Sequence, residues 1–84
     1  SMKVLMAKVE FFFPFVHSLK EKRQILRKVK DRLFANFHVT IHEVSHQDKW
    51  QRALLGFALV GNDATKLSSV GDKILDTLVD LGLG

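Results

Sequence analysis

The segment spanning residues 17–37 constrains the fold most, because it carries the clearest helical pattern in the chain. Ser18 and Glu21 are spaced as a capping box, in which both side chains bind backbone N–H groups that lack a partner inside a helix. This spacing predicts a helix that begins at Leu19. Its apolar side chains recur on one face, as in a helix packed against a core: Leu19, Leu26, Val29 and Leu33.

This helix also carries most of the positive charge of the chain, whose formal net charge is +4. Lys20, Lys22 and Arg23 lie in its first turn, where the helix dipole is already positive and each cation costs about 0.3–1 kcal/mol. Unpaired N–H groups together with three cations are typical of an anion site, most naturally a phosphate site. With Arg27 and Lys30, Lys20 and Arg23 form a line of cations along the flank of the helix.

The alternative is that these cations form a solvated face that only confers solubility. Lys22 is unusual, because it projects into the apolar face of the helix. The simplest interpretation is that its aliphatic stem covers the edge of a sheet while its ammonium group stays in water.

The rest of the composition is typical of a globular domain that is not stabilised by disulfides. The 84 residues suffice for one domain, expected over residues 2–84, with Ser1 interpreted as a residue left by cloning. The absence of cysteine excludes disulfides and thiolate metal sites. We find neither a secretion signal nor an apolar run of about 20 residues, so we expect a cytoplasmic protein without a membrane partner.

Three strands are predicted around this helix. Residues 3–13 alternate in polarity, so their odd positions should face the core until Pro14 ends the strand. Residues 37–47 are rich in β-branched side chains. Residues 50–60 carry bulky side chains at odd positions, which we also expect to be buried.

A second helix is predicted after the break at Gly61, with Asn62 or Asp63 as its N-cap. It should run through about Leu81 and end at Gly82. Its apolar face is predicted to comprise Leu67, Val70, Ile74, Leu78 and Leu81.

This order is that of a ferredoxin-like α+β sandwich, in which two helices cover one face of an antiparallel sheet. The complete pattern, β-α-β-β-α-β, has a final strand after the second helix, and that strand is missing before the sequence ends at Gly84. Either the final strand lies beyond the end of this sequence, or the first strand is left as an open edge. An open edge is a pairing template and favours self-association.

Residues His42-Glu43-Val44-Ser45-His46 match H-E-x-x-H, the zinc-protease signature. That chemistry requires a helix, which brings both imidazoles onto one metal. The match lies in a predicted strand, where positions i and i+4 stand about 13 Å apart. Zinc hydrolysis is therefore a remote alternative. It would become plausible only if this segment were helical.

The face of the sheet away from the helices is a second region of interest. Open sheets of this topology can bind single-stranded RNA by stacking bases on aromatic rings, but Gly56 and Ala58 occupy central positions where rings are wanted. Burial against a second copy suits this mixed face better. The interface candidates are Trp50, His42, Val44 and Leu54.

The sequence contains no glycine-rich phosphate loop, no nucleophile elbow and no plausible carboxylate pair. We therefore predict no catalytic residue, cofactor, metal or small-molecule substrate.

Two blocks of sequence resemble the small bacterial YlxP-like family: HSLKEKR at residues 17–23 and HEVSHQDKWQR at residues 42–52, followed by an apolar strand ending in Gly-Asn-Asp. The resemblance implies a ferredoxin-like fold. It also implies a link to translation, because genes of this family lie among those for translation and ribosome maturation, although its biochemical activity is unassigned.

The leading hypothesis is a non-enzymatic module that docks on structured RNA or the ribosome. The candidates for phosphate contact are Lys20, Lys22, Arg23, Arg27, Lys30 and, as a supplementary contact, Arg52. The alternative is a protein-interaction module or homodimer that uses the open sheet face or the strand edge, with a basic helix that is merely solvated.

Overall fold

A computed structural model of the protein describes residues 1–81. Its elements follow the predicted order: β1 (Lys3–Phe12), α1 (Leu19–Phe37), β2 (His42–Ser45), β3 (Arg52–Gly61) and α2 (Ala64–Leu81). The strands form one antiparallel sheet in the order β1-β3-β2. The ferredoxin-like α+β class is confirmed, and residues 1–81 contain no fourth strand. The predicted helix end at Gly82 lies outside the described residues.

The central strand, β3, divides the side chains of the sheet between two faces. It pairs with all of β1, from Lys3 opposite Gly61 to Phe12 opposite Arg52. Because side chains alternate along a strand, the odd-numbered residues point toward the helices and supply much of the core: Phe11, Ala53, Leu55 and Phe57. The even-numbered residues point to the opposite side, which we call the bare face. The predicted alternation is confirmed.

The first helix begins where the capping box predicts. The Ser18 hydroxyl accepts a hydrogen bond from the Glu21 N–H at 3.0 Å. The Glu21 carboxylate accepts one from the His17 N–H at 3.4 Å, one residue earlier than the standard box. The helix ends at His38, whose left-handed backbone (φ 54°) lets its N–H bond the Phe34 carbonyl at 2.8 Å.

The prediction of a strand over residues 37–47 is wrong at both ends. The helix continues through Phe37, and β2 comprises only His42–Ser45. Val39 and Ile41 lie in the core but outside any strand. Their burial, rather than sheet pairing, accounts for the β-branched pattern. The strands β1 and β3 differ from their predicted bounds by one or two residues.

The second helix packs across β1 and β3. The Asp63 carboxylate caps it, accepting hydrogen bonds from two N–H groups of the first turn at 3.0 and 3.2 Å. Its buried apolar side chains are Ile74 and Leu78. Val70 was wrongly predicted to face the core and is exposed. Gly71 is buried instead, and a Cβ there would stand only 3.3 Å from a methyl group of Leu5. Neither α1 nor α2 is both long and apolar enough to span a bilayer.

Candidate functional site

Four exposed cations line one flank of α1 and form what we call the basic stripe: Lys20, Arg23, Arg27 and Lys30. Successive members are three or four residues apart, so they share one side of the helix and extend about 15 Å along it. The ion pairs within residues 1–81 are Lys22–Glu43 and Arg52–Glu10. No carboxylate of the described residues therefore pairs with the stripe.

The stripe borders a shallow groove of about 330 Å³, whose lining residues are Arg23, Leu26, Arg27, Lys30, Asp31 and Glu43. The groove contains two carboxylates, but Glu43 is already paired with Lys22. Three cations therefore face one uncompensated carboxylate, Asp31. The groove is positively charged, as a site for an anionic ligand requires.

Lys22 is not part of this surface, and its prediction as a phosphate contact is wrong. Only 1% of the residue is exposed. Its ammonium group donates hydrogen bonds to the carbonyl oxygens of His46 at 2.7 Å and Lys49 at 2.6 Å, and its Nζ lies 2.6 Å from Oε2 of Glu43. The expectation that the ammonium stays in water is wrong as well, because two hydrogen bonds and the nearby Glu43 carboxylate compensate for its burial.

Lys22 holds the turn between β2 and β3 against α1. The turn is tight: the Lys49 N–H bonds the His46 carbonyl at 3.0 Å, and His46 has a left-handed backbone (φ 65°). Both carbonyls that accept from Lys22 belong to this turn. The position of Lys22 in the apolar face of α1 was a sign of burial, but the sequence gives no sign of partners 24 and 27 residues away.

The turn forms one wall of an open pocket of about 610 Å³ at the end of the sheet. We call it the sheet-end pocket, and its lining residues are Phe12, His17, Asp48, Lys49, Trp50, Gln51 and Arg52. Phe12 and Trp50 are 54% and 50% exposed. Trp50 therefore does not close the hairpin end of the core.

The supplementary candidate Arg52 lies in this pocket and not with the basic stripe. Its guanidinium carbon is 4.8 Å from the centre of the Phe12 ring, and its Nη1 is 3.0 Å from Oε1 of Glu10. Both charged side chains of that ion pair are about half exposed, and such pairs contribute about 0–1 kcal/mol. Arg52 therefore remains able to exchange Glu10 for another anion.

Besides Arg52, Trp50 was selected from the sequence, as an interface candidate, whereas the other residues of the pocket were not selected as site residues. Phe12 and Arg52 are paired even-numbered residues of β1 and β3 and so point toward the bare face, which was a usable signal, whereas Trp50 precedes β3. His17 and Lys49 lie in loops, and their position at the pocket depends on how the two loops dock.

The interface candidates also lie at the bare face or at its end. His42, Val44 and Trp50 are exposed, and Leu54 is half-buried. Val44 covers the gap left by Gly56, where a Cβ would stand 3.2 Å from the Val44 Cγ1. The exposed apolar surface also extends to residues that were not selected from the sequence: Val4, Met6 and Val60.

The H-E-x-x-H match lies in the wrong secondary structure for zinc chemistry. His42 and Glu43 belong to β2, and His46 follows the strand with a left-handed backbone. Glu43, which would have to act as general base, is engaged by Lys22. Residues 1–81 contain no group of three or more histidine, cysteine or carboxylate side chains placed to hold a metal ion.

Comparison with known proteins agrees with the resemblance seen in the sequence. Residues 4–82 match the family model described as "Protein of unknown function (DUF503)". The chain is also similar to a Bacillus subtilis (strain 168) protein described as "Uncharacterized protein YlxP", with 36% identity over 58 residues. The match covers 69% of this chain and 63% of that relative, so it spans less than two thirds of the relative's length.

Proposed function

Since the chain belongs to the DUF503 family, whose description assigns no function, we propose a function from its own surface. The protein is a non-enzymatic, cytoplasmic binding module that docks on RNA, and the ribosome is the RNA-rich partner that the family resemblance favours. The basic stripe contacts the phosphates.

The observation that carries this proposal is the set of four exposed cations without carboxylate partners among the described residues. A solvated face built for solubility alone is usually interspersed with acids, which lower its repulsion. Here the only acid at the groove that lacks a cation is Asp31. Arg23 and Arg27 supply the planar forks that match phosphate oxygens.

Two double variants with equal charge separate stripe contacts from general electrostatics. Arg23→Ala with Arg27→Ala removes two cations from the stripe. Lys28→Ala with Arg32→Ala removes two exposed cations from another side of the same helix. We expect the first pair to weaken binding to a fluorescein-labelled RNA stem-loop by about 10- to 30-fold, at about 1 kcal/mol per exposed charge-assisted contact. The second pair should have little effect in the same anisotropy titration.

Equal losses of RNA affinity in both double variants would mean that binding depends only on the net charge of the protein. No binding by the unmodified protein, even at low salt, would also contradict the proposal.

A second candidate function is self-association through the bare face. Val4, Met6 and Val60 are 54%, 82% and 66% exposed there, and Val4 pairs with Val60 across β1 and β3. Apolar side chains exposed in such a cluster are typical of interaction surfaces.

Light scattering over a range of concentrations tests this candidate. If the bare face forms a dimer, Val60→Lys should restore the monomer, because it places an unpaired charge in the interface. Val79→Lys is the matched control, since Val79 is 65% exposed but lies on α2. A dimer that Val60→Lys abolishes, together with no RNA affinity, would select self-association over RNA docking.

A further inference from the structure

We propose that the sheet-end pocket binds an unpaired nucleobase of single-stranded RNA by stacking it on Phe12 and Trp50. This inference rests on the proposed RNA-docking function and adds to it a second contact of different chemistry. The basic stripe provides attraction to phosphates, whereas this pocket provides a preference for RNA with unstacked bases.

Two exposed aromatic rings line the same pocket. Phe12 and Trp50 each leave about half of their surface exposed, although full burial of a large apolar side chain stabilises a fold. Base stacking on exposed aromatic side chains is a common basis of single-strand recognition, and it tolerates any base because every base has a π-face.

Cationic side chains surround the two rings. His17, Lys49 and Arg52 line the pocket, and Asp48 is the acid among its lining residues. The Arg52 guanidinium already lies over Phe12 at 4.8 Å, and a guanidinium that stacks on a ring can also stack on a base that takes its place on Phe12. The lysine and arginine can neutralise the phosphates on either side of that base.

Hydrogen bonds hold both walls of the pocket in place without a ligand. Lys22 holds the turn through the carbonyls of His46 and Lys49, next to Trp50. The Gln51 side-chain amide donates to the carbonyls of Pro14 and Val16 at 3.0 and 3.2 Å, which holds the loop between β1 and α1. A site organised in this way loses less conformational entropy on binding.

The pocket lies next to the start of the basic stripe. His17 lines the pocket and immediately precedes Ser18, the N-cap of α1. Lys20, the first member of the stripe, lies in the first turn of the same helix. The pocket therefore opens at the end of α1 where the stripe begins, so one RNA strand can contact both.

Trp50 is the only tryptophan of the chain, so its fluorescence reports directly on this pocket. We expect a single-stranded octaadenylate RNA to quench Trp50 emission, whereas inorganic polyphosphate, which has no bases, should leave the emission unchanged. Phe12→Ala should weaken octaadenylate binding by about 5- to 150-fold, the range found when stacking residues are replaced by alanine. Phe34→Ala, which removes an equally exposed ring from α1 (54%), should not weaken it.

Variants of Trp50 separate loss of stacking from loss of folding. Trp50→Phe should keep most of the affinity measured by anisotropy and Trp50→Ala should lose it, while the thermal unfolding of both stays within a few degrees of the unmodified protein. Base stacking would be overturned if octaadenylate bound without quenching Trp50 and the Phe12→Ala and Phe34→Ala variants had equal affinities. If that binding still weakened with salt, the phosphate contacts would stand. If replacing both Arg23 and Arg27 changed neither the quenching of Trp50 nor the affinity for octaadenylate, contact between the basic stripe and RNA would be contradicted.

Discussion

Lys22 is the residue whose environment differs most from its sequence context. It lies among basic neighbours on α1, yet its ammonium group is enclosed by Glu43 and by the carbonyls of His46 and Lys49. A buried charge is costly unless it is paired and hydrogen-bonded. Lys22 therefore holds the turn next to Trp50 in place and is not part of the proposed RNA-binding surface.

Replacing Lys22 with methionine should destabilise the protein by about 3 kcal/mol, because the change leaves the Glu43 carboxylate and two carbonyls without their partner. Urea denaturation of the single variant measures this loss. Glu43→Gln should cost less, since the Glu43 side chain keeps 18% of its surface exposed and can be hydrated. In the Glu43→Gln background, Lys22→Met should cost at least about 1 kcal/mol less than it does alone. Additive effects of the two substitutions would show that the ion pair contributes nothing.

The elements themselves were predictable where their signals are local. The capping box predicted the start of α1, and the alternation of polar and apolar residues predicted which face of β1 and β3 is buried. The extent of β2 was not predictable, because Val39 and Ile41 are buried without strand pairing. The sheet-end pocket was only partly predictable, since it forms where two loops dock across the fold.

The contribution of the N-cap of α1 to stability can be tested by substitution. Ser18→Ala should lower the free energy of unfolding by about 1 kcal/mol, because the Glu21 N–H loses its acceptor. Ser69→Ala, at an exposed interior position of α2, should be neutral or slightly stabilising, since alanine is the better helix former. Equal effects of the two substitutions in urea denaturation would mean that the cap does not stabilise α1.

At the scale of the whole molecule, the structure separates two kinds of surface. The basic stripe and the groove beside it lie on α1, on the helix side of the sheet. The bare face carries exposed apolar side chains on β1 and β3. The sheet-end pocket opens at the end of the molecule where α1 begins. Phosphate contact, base stacking and self-association can therefore be tested by separate substitutions.

If the basic stripe binds RNA phosphates, the affinity for RNA should depend strongly on salt concentration. With four cations displacing counterions, the logarithm of the association constant should fall against the logarithm of salt concentration with a slope of about −3. Replacing Arg23 and Arg27 with alanine should make the slope shallower by about 1.5, whereas replacing Lys28 and Arg32 should leave it unchanged. A slope near zero, or the same change of slope in both double variants, would contradict phosphate binding by the basic stripe.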